Sequence, residues 1–225
     1  MGNKQKLSGK DRRAAVREEK KKALASRALV AKAKEKRDPL DELSMSLKMS
    51  LVGFDAVITS SHWCTLDKET QEWILKLEET NVKEMYEKSD WGWNGKVKQE
   101  EMTDEDARYL IARSTEGKPL GFSHFRFDMD FDDEVLYCYE LQIEEHARRR
   151  GLGCFMLRVL EELTIHYNMK KTMLTVFKHN HPGRTFFKKN GYKLDETSPE
   201  DDDEEEEACY EILSKYNLKF DPPVV

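Results

Sequence analysis

The stretch Arg148-Arg149-Arg150-Gly151-Leu152-Gly153 sets three guanidinium groups directly before a Gly-x-Gly and a long apolar-striped run. A helix starting at such glycines aims unpaired backbone N–H groups and the positive end of its dipole at one spot, which suits a phosphate. Gly151 and Gly153 serve there because a side chain would hold the backbone away from an anion and would penalise a left-handed turn. A dinucleotide fingerprint needs a third glycine where Met156 stands, and the runs before it look antiparallel, which argues against a βαβ nucleotide fold. The plain alternative is an ordinary glycine turn with surface arginines.

Other chemistries find less support. His179 and His181 are two ligands without a nearby cysteine, too few for a metal centre. The four cysteines, Cys64, Cys138, Cys154 and Cys209, form no CxxC pair, and no glycosylation sequon occurs, which predicts a reduced, intracellular protein. Cys138 and Cys154 are the thiols near the loop, and neither has an activating histidine beside it in sequence, so an acyl-enzyme route is disfavoured.

The elements that must position the loop can be read on both sides of it. Residues 10–37 are rich in Ala, Lys, Arg and Glu and predict a helix stopped at Asp38-Pro39. Its apolar stripe is thin, so it is expected to be a solvated, partly ordered basic arm rather than one docked on the core. Residues 67–88 carry Trp73, Leu77, Val82, Met85 and Tyr86 near helical spacing. Three strand-like runs follow, ARYLIARS, PLGFSHFRFDM and EVLYCYELQI, separated by short turns. After the loop, Leu152, Phe155, Met156, Val159, Leu160 and Leu163 describe an amphipathic helix. Then come a strand KTMLTVF, a short helix ended by Gly191, and strands YKLD and ACYEILSKY flanking an acidic run expected to be a disordered loop over 198–207. This order predicts an α/β domain with one mixed sheet.

At 225 residues the chain allows one sizeable core with appendages. The domain is placed at 38–220, the arm at 1–37 and a tail at 221–225. Residues 1–40 hold 14 Lys and Arg against 5 Asp and Glu, so a basic arm is joined to a body of charge about −15. Such an arm suits polyanions such as chromatin or ribosomal RNA, and such a body suits a basic partner. No apolar run is long enough to span a bilayer, and the lysine-rich start lacks a signal-type apolar stretch, so the protein is expected to be neither secreted nor membrane-spanning. Gly2 fits myristoylation poorly, because Lys6 stands where Ser or Thr is wanted.

The element order and the Arg-x-x-Gly-x-Gly loop resemble the GNAT acetyltransferase superfamily, whose [QR]-x-x-G-x-[GA] motif binds the pyrophosphate of acetyl-CoA. NVKEMYEKSDWGW, FSHFRFD, DEVLYCYELQIE, KTMLTVFKHNH and CYEILS are similar to the histone-directed N-terminal acetyltransferases of type D over roughly residues 38–220. That resemblance implies a single mixed sheet flanked by helices. It also implies acetyl transfer from acetyl-CoA to the α-amine of core histones beginning Ser-Gly-Arg-Gly, without a metal, by a monomer working in cytoplasm and nucleus.

The resemblance further implies roles. Glu140, in the strand just before the loop, matches the general base. Leu141, Gln142 and Ile143 would pair with the pantetheine arm through their backbone, with an N–H near Leu141 polarising the thioester carbonyl. Arg148 to Gly153, then Cys154 and Asn180, match cofactor contacts. Tyr86 and Tyr210 match hydroxyls near the first substrate residue, Tyr139 a peptide-backbone contact, Thr175 another substrate position, and Trp91 an aromatic wall. Asp128 and Asp130 would meet the substrate arginine, since a carboxylate offers two acceptors to a guanidinium. Phe186-Phe187 stands where many relatives place the tyrosine that protonates the thiolate, which leaves Tyr139 or solvent as general acid. Trp73, Trp93 and Tyr137 are assigned to packing. Strict alternation would send Tyr139 and Glu140 to opposite faces, so a bulge or splay is expected between them. The rivals are a lysine or small-amine acetyltransferase on the same scaffold and a non-catalytic chromatin or ribosome adaptor.

Overall fold

A computed structural model describes residues 9–199 and 207–219. The expectations for Gly2, for most of the acidic run and for the tail at 221–225 therefore lie outside the described residues.

The first helix, α1 (Gly9–Lys34), leads to a hairpin of β1 (Lys48–Leu51) and β2 (Phe54–His62). Two helices follow, α2 (Lys68–Glu87) and α3 (Gly95–Met102), then a meander of β3 (Arg108–Arg113), β4 (Pro119–Asp130) and β5 (Asp133–Ile143). The chain closes with α4 (Leu152–His166), β6 (Lys171–Phe177), α5 (His181–Lys189), β7 (Lys193–Leu194) and β8 (Tyr210–Tyr216). The eight strands form one sheet in the order β1-β2-β3-β4-β5-β6-β8-β7. Among the described residues only β5 and β6 run parallel, so the sheet is mixed, as the element order predicts.

Helices α2 and α3 start where the sequence supplies a side-chain cap. Asp67 accepts from the Thr70 N–H at 2.9 Å to open α2, and Asn94 accepts from Lys96 and Val97 to open α3. Reading the sequence missed α3, β1 and β2. Helix α3 has too few apolar residues to show a stripe, and the hairpin around Gly53 alternates weakly, burying only Ala56 and Ile58.

The core lies on both sheet faces. On one, Val30 and Ala33 of α1 join Leu152, Met156, Val159, Leu160 and Leu163 of α4 over Leu110, Phe125, Leu136, Cys138 and Leu174. On the other, Ile74 and Leu77 of α2 and Met102 of α3 cover Tyr109, Ile111 and Phe122.

The arm is a correction to the sequence reading. Residues 13–22 are exposed, but its last turns dock, with Val30 and Ala33 in the core. The cause is Arg108, which is 2% exposed and donates to the carbonyls of Lys34 at 2.5 Å and Lys36 at 2.6 Å. Helix ends leave carbonyls without partners, and here a buried strand arginine satisfies them. The Lys34–Asp106 ion pair, at 2.6 Å, adds to the hold.

Candidate functional site

Strand β5 carries one residue more than β4. Glu140 pairs with His124 and Cys138 with Phe125, so Tyr139 has no partner and forms a bulge. Before it, Leu136 and Cys138 face the α1/α4 core, and after it Leu141 and Ile143 do. Tyr137, Tyr139, Glu140 and Gln142 consequently share the opposite face, which resolves the conflict between Tyr139 and Glu140.

Beside the bulge the sheet opens. The β5–β6 ladder joins Val135–Cys138 to Lys171–Leu174 and ends there. Beyond Cys138 the edge of Leu141, Gln142 and Ile143 that faces β6 pairs with no strand among the described residues. An extended chain with amide groups could add itself to that edge.

The glycine loop lies just past the opening. Gly151 has φ 81°, a left-handed conformation, and precedes α4 with no side-chain cap. The first-turn N–H groups of α4 thus stay open to an anion. At Gly153 a Cβ would come 3.0 Å from Phe186 and 3.3 Å from Ile143, so a larger residue would press into the same cradle. All three arginines are exposed, in distinct settings. Arg148 donates to the Ile143 carbonyl at 2.9 Å and to Asn81 at 2.7 Å, which makes it a brace across the loop. Arg149 has φ 58°, an uncommon value for a non-glycine residue. Arg150 lies over Phe54, 5.4 Å from the ring centroid. Cys154 is half-buried in the first turn of α4. Asn180 accepts from the Gly183 N–H at 2.9 Å, so its side-chain oxygen caps α5 at the far rim.

Glu140 is the centre of a buried polar cluster. Its Oε1 accepts from Lys98, and its Oε2 accepts from Gln142 at 3.0 Å. Gln142 accepts in turn from Asn81 at 3.0 Å, so a chain of hydrogen bonds runs Arg148, Asn81, Gln142, Glu140. Lys98 also reaches Glu101 at 2.6 Å and the Tyr86 hydroxyl at 3.3 Å. Its pKa is driven up: burial opposes the charge, and the surrounding carboxylates, Glu140 foremost, outweigh it. Burial, then the charge of Glu140, raises the Tyr86 hydroxyl to about 12. Lys98, Glu78 and Glu101 were not found from sequence. Lys98 and Glu101 belong to the unrecognised α3, and Glu78 looks like any solvent-facing acid of α2. Cys138 is pushed up to about 12, chiefly by burial, and is no nucleophile at neutral pH.

Tyr139 is clamped. The ring of His124 stacks on it at 4.9 Å and Arg126 lies over it at 4.4 Å. Its neighbour Tyr137, 4.9 Å away, meets the Thr175 hydroxyl at 2.5 Å, so a residue assigned to packing lines the same face. Burial lowers the pKa of His124 far below its ordinary value, so the ring is neutral. Asp128 and Asp130 lie further along β4 on the face of His124 and Arg126. Asp128 has no cation partner among the described residues. Asp130 already sits 3.3 Å from buried Lys171, which Asp195 holds at 2.9 Å. The two acids are therefore unequal as arginine acceptors.

Aromatic rings close the other end. Tyr86 packs edge-on to Phe177 at 5.0 Å and Trp93 at 5.5 Å, while Trp91 lies 4.9 Å from Tyr210 and 5.2 Å from Phe177. Trp91 is 48% exposed, so the cluster has an open side. Trp93 belongs to this wall as well, whereas Trp73 donates to Glu144 at 2.7 Å and packs on Phe122. No group of three His, Cys, Asp or Glu side chains that could hold a metal ion is found among the described residues. No described helix is long and apolar enough to cross a membrane.

A family model described as the GNAT acetyltransferase family matches residues 67–192, which include the bulge, the opening and the glycine loop. Solved structures share the fold. A GNAT-family acetyltransferase from Listeria monocytogenes is 11% identical, with TM-score 0.52 over 75% of this chain and 99% of its own. Ard1 from Thermoplasma volcanium is 14% identical, with TM-score 0.51 over 72% and 98%. The PaiA N-acetyltransferase from Thermoplasma acidophilum, solved with coenzyme A, is 16% identical, with TM-score 0.50 over 71% and 98%.

Proposed function

The chain belongs to the GNAT acetyltransferase family, and on that premise we propose that it acetylates the N-terminal α-amine of core histones beginning Ser-Gly-Arg-Gly. Acetyl-CoA supplies the acetyl group as an activated thioester. The open first turn of α4, with Gly151, Leu152, Gly153 and Cys154 and the exposed arginines 148–150, would hold its phosphates. The free edge of Leu141, Gln142 and Ile143 would pair with its amide-bearing arm, and Asn180 would border it.

The observation that carries the reading is the extra residue in β5. It turns Tyr139 and Glu140 to one face, beside the place where β5 and β6 part. Glu140 would take the proton of the attacking amine. An α-amine titrates near 8, so a modest carboxylate base suffices. Lys98 and Gln142 fix the orientation of that carboxylate. Tyr139, held by His124 and Arg126, would meet the peptide backbone, and Thr175 would line the floor through Tyr137. The wall of Tyr86, Trp91 and Tyr210 would enclose small first residues, and Asp128 would accept the third-position arginine. Asp130, tied to Lys171, would support that acceptor more than serve as one. The acidic body suits a basic histone tail, in the cytoplasm or the nucleus.

The test is incubation with acetyl-CoA and a Ser-Gly-Arg-Gly peptide, beside the same peptide with a blocked α-amine and free lysines, with mass spectrometry to locate acetyl. Label on the free α-amine alone, lost in Glu140→Gln, supports the reading. Label on lysines of the blocked peptide moves the protein to a lysine acetyltransferase, and no label on either favours an adaptor.

A further inference from the structure

Glu78 is the most buried acid around the candidate base, its side chain 1% exposed, and neither of its oxygens receives a hydrogen bond from any of the described residues. An ionised carboxylate in that position would cost several kcal/mol unless donors surrounded it. The nearest cation is Lys98, whose Nζ is 3.7 Å from Glu78 Oε1, beyond hydrogen-bond reach. An ammonium group has three N–H donors. In Lys98 all three are committed, to Glu140, to Glu101 and to the Tyr86 hydroxyl.

Glu78 and Glu140 both approach the Lys98 ammonium group, Glu140 in direct contact and Glu78 at 3.7 Å, so the two carboxyl groups are neighbours around one cation. Two ionised carboxylates are acceptors only and repel each other; with one proton between them they form a strong O–H···O hydrogen bond. The other charged or titratable groups near the pair are Glu101 of α3, Tyr86 of α2, Tyr109 of β3, His124 and Arg126 of β4, and the Cys138 thiol of β5, which is neutral and faces the α1/α4 core. His124 is neutral and Arg126 lies over Tyr139, pairing with Asp104 at 3.3 Å, so neither supplies Glu78 with a counter-charge.

We propose that Glu78 is a positioning residue which holds a proton and donates it to Glu140, so that the base is the ionised half of a carboxylic acid–carboxylate pair. The inference rests on Glu140 as the base. Burial, then the charge of Glu140, raises the pKa of Glu78 well above the usual carboxylate range, in agreement with the hydrogen-bond count. In the transfer step the substrate N–H bond breaks and a new O–H bond forms on Glu140. Glu78 keeps its own proton throughout and holds Glu140 against Lys98.

The experiment is isotope-edited infrared spectroscopy of the full-length protein, with carbon-13 glutamate, at neutral pH and without substrate. A protonated-carboxyl C=O stretch is expected, shifted by deuteration and lost in Glu78→Gln. Absence of the band, or its survival in Glu78→Gln, overturns the proposal. This readout needs no turnover, so it is decided even if the histone peptide proves not to be a substrate. Turnover gives a second readout. Gln keeps a donor toward Glu140 and should leave the acidic limb of the kcat profile in place, whereas Glu78→Leu removes the donor and should move it upward. A downward move of about one unit or more in Glu78→Gln would mean that an ionised neighbour had been removed, and would also overturn the proposal.

Discussion

Gly121 and Gln142 approach each other across β4 and β5 so closely that a Cβ on the glycine would lie 2.7 Å from the Gln142 carbonyl oxygen. Backbone cannot yield as a flexible side chain can, so Gly121→Ala must push β5 away at the segment proposed to pair with acetyl-CoA. The expected cost is about 1–3 kcal/mol of stability. The KM for acetyl-CoA should rise more than the KM for peptide. Thermal melting and steady-state kinetics check both.

Arg108→Met should release the basic helix. The variant leaves the carbonyls of Lys34 and Lys36 without their buried donor, at a cost of about 1–3 kcal/mol for each group that stays unsatisfied. Limited proteolysis should then cut near residues 34–37 faster than in the parent protein, while the domain from β1 onward remains resistant.

Lys171 and Asp195 form an ion pair with no exposed side-chain surface. Burial opposes both charges. Hydrogen bonds to Asp195 from Ser214, Lys171 and Thr197 nevertheless hold its pKa below the ordinary value, and Asp195 and Asp130 hold Lys171 above its own. The Asp195 contribution is therefore present above an unfolded-state pKa of about 3.9 and is lost as pH falls through the lower folded value. The Lys171 contribution is complete below about 10.4 and is lost as pH rises through the higher folded value. Lys171→Met should cost about 3–5 kcal/mol at neutral pH by leaving Asp195 buried and unpaired. Denaturant melts at three pH values check the magnitude and the window.

Asp128→Ala should raise the KM for a Ser-Gly-Arg-Gly peptide by about tenfold or more, the worth of one charge-assisted hydrogen bond. The same variant should barely change the KM for Ser-Gly-Ala-Gly. Asp130→Ala should instead lower the melting temperature, because it withdraws a partner from Lys171. Equal losses on both peptides in Asp128→Ala would place the arginine contact elsewhere.

The glycine loop, the long helix after it and the meander before it were legible because each has a local signature: two glycines, a 3.6-residue stripe, alternating runs between turns. The docking of the arm was not legible. Val30 and Ala33 are too few to mark a core face, and the residue that fixes them, Arg108, is 72 positions from Lys36 in the chain. The network around Glu140 was hidden for a similar reason. Glu78 and Lys98 sit on polar-looking helices, and their meaning comes from three elements converging on one carboxylate. Asp128 and Asp130 read as equals along a strand, and only the buried lysine under the second separates them.

The bulge at Tyr139 has a consequence for how β5 can vary. Cys138 faces the α1/α4 core and Glu140 the other side, so the two would follow each other in regular alternation if Tyr139 were absent. The α1/α4 core makes no demand for the intervening residue, since both halves of the strand would keep their faces in a shorter chain. A sequence that loses this one position could thus retain every core contact described for the strand while ceasing to set a tyrosine and a glutamate side by side. Comparison of related chains by spacing at this point would then separate intact sites from inherited scaffolds, even where all other elements coincide.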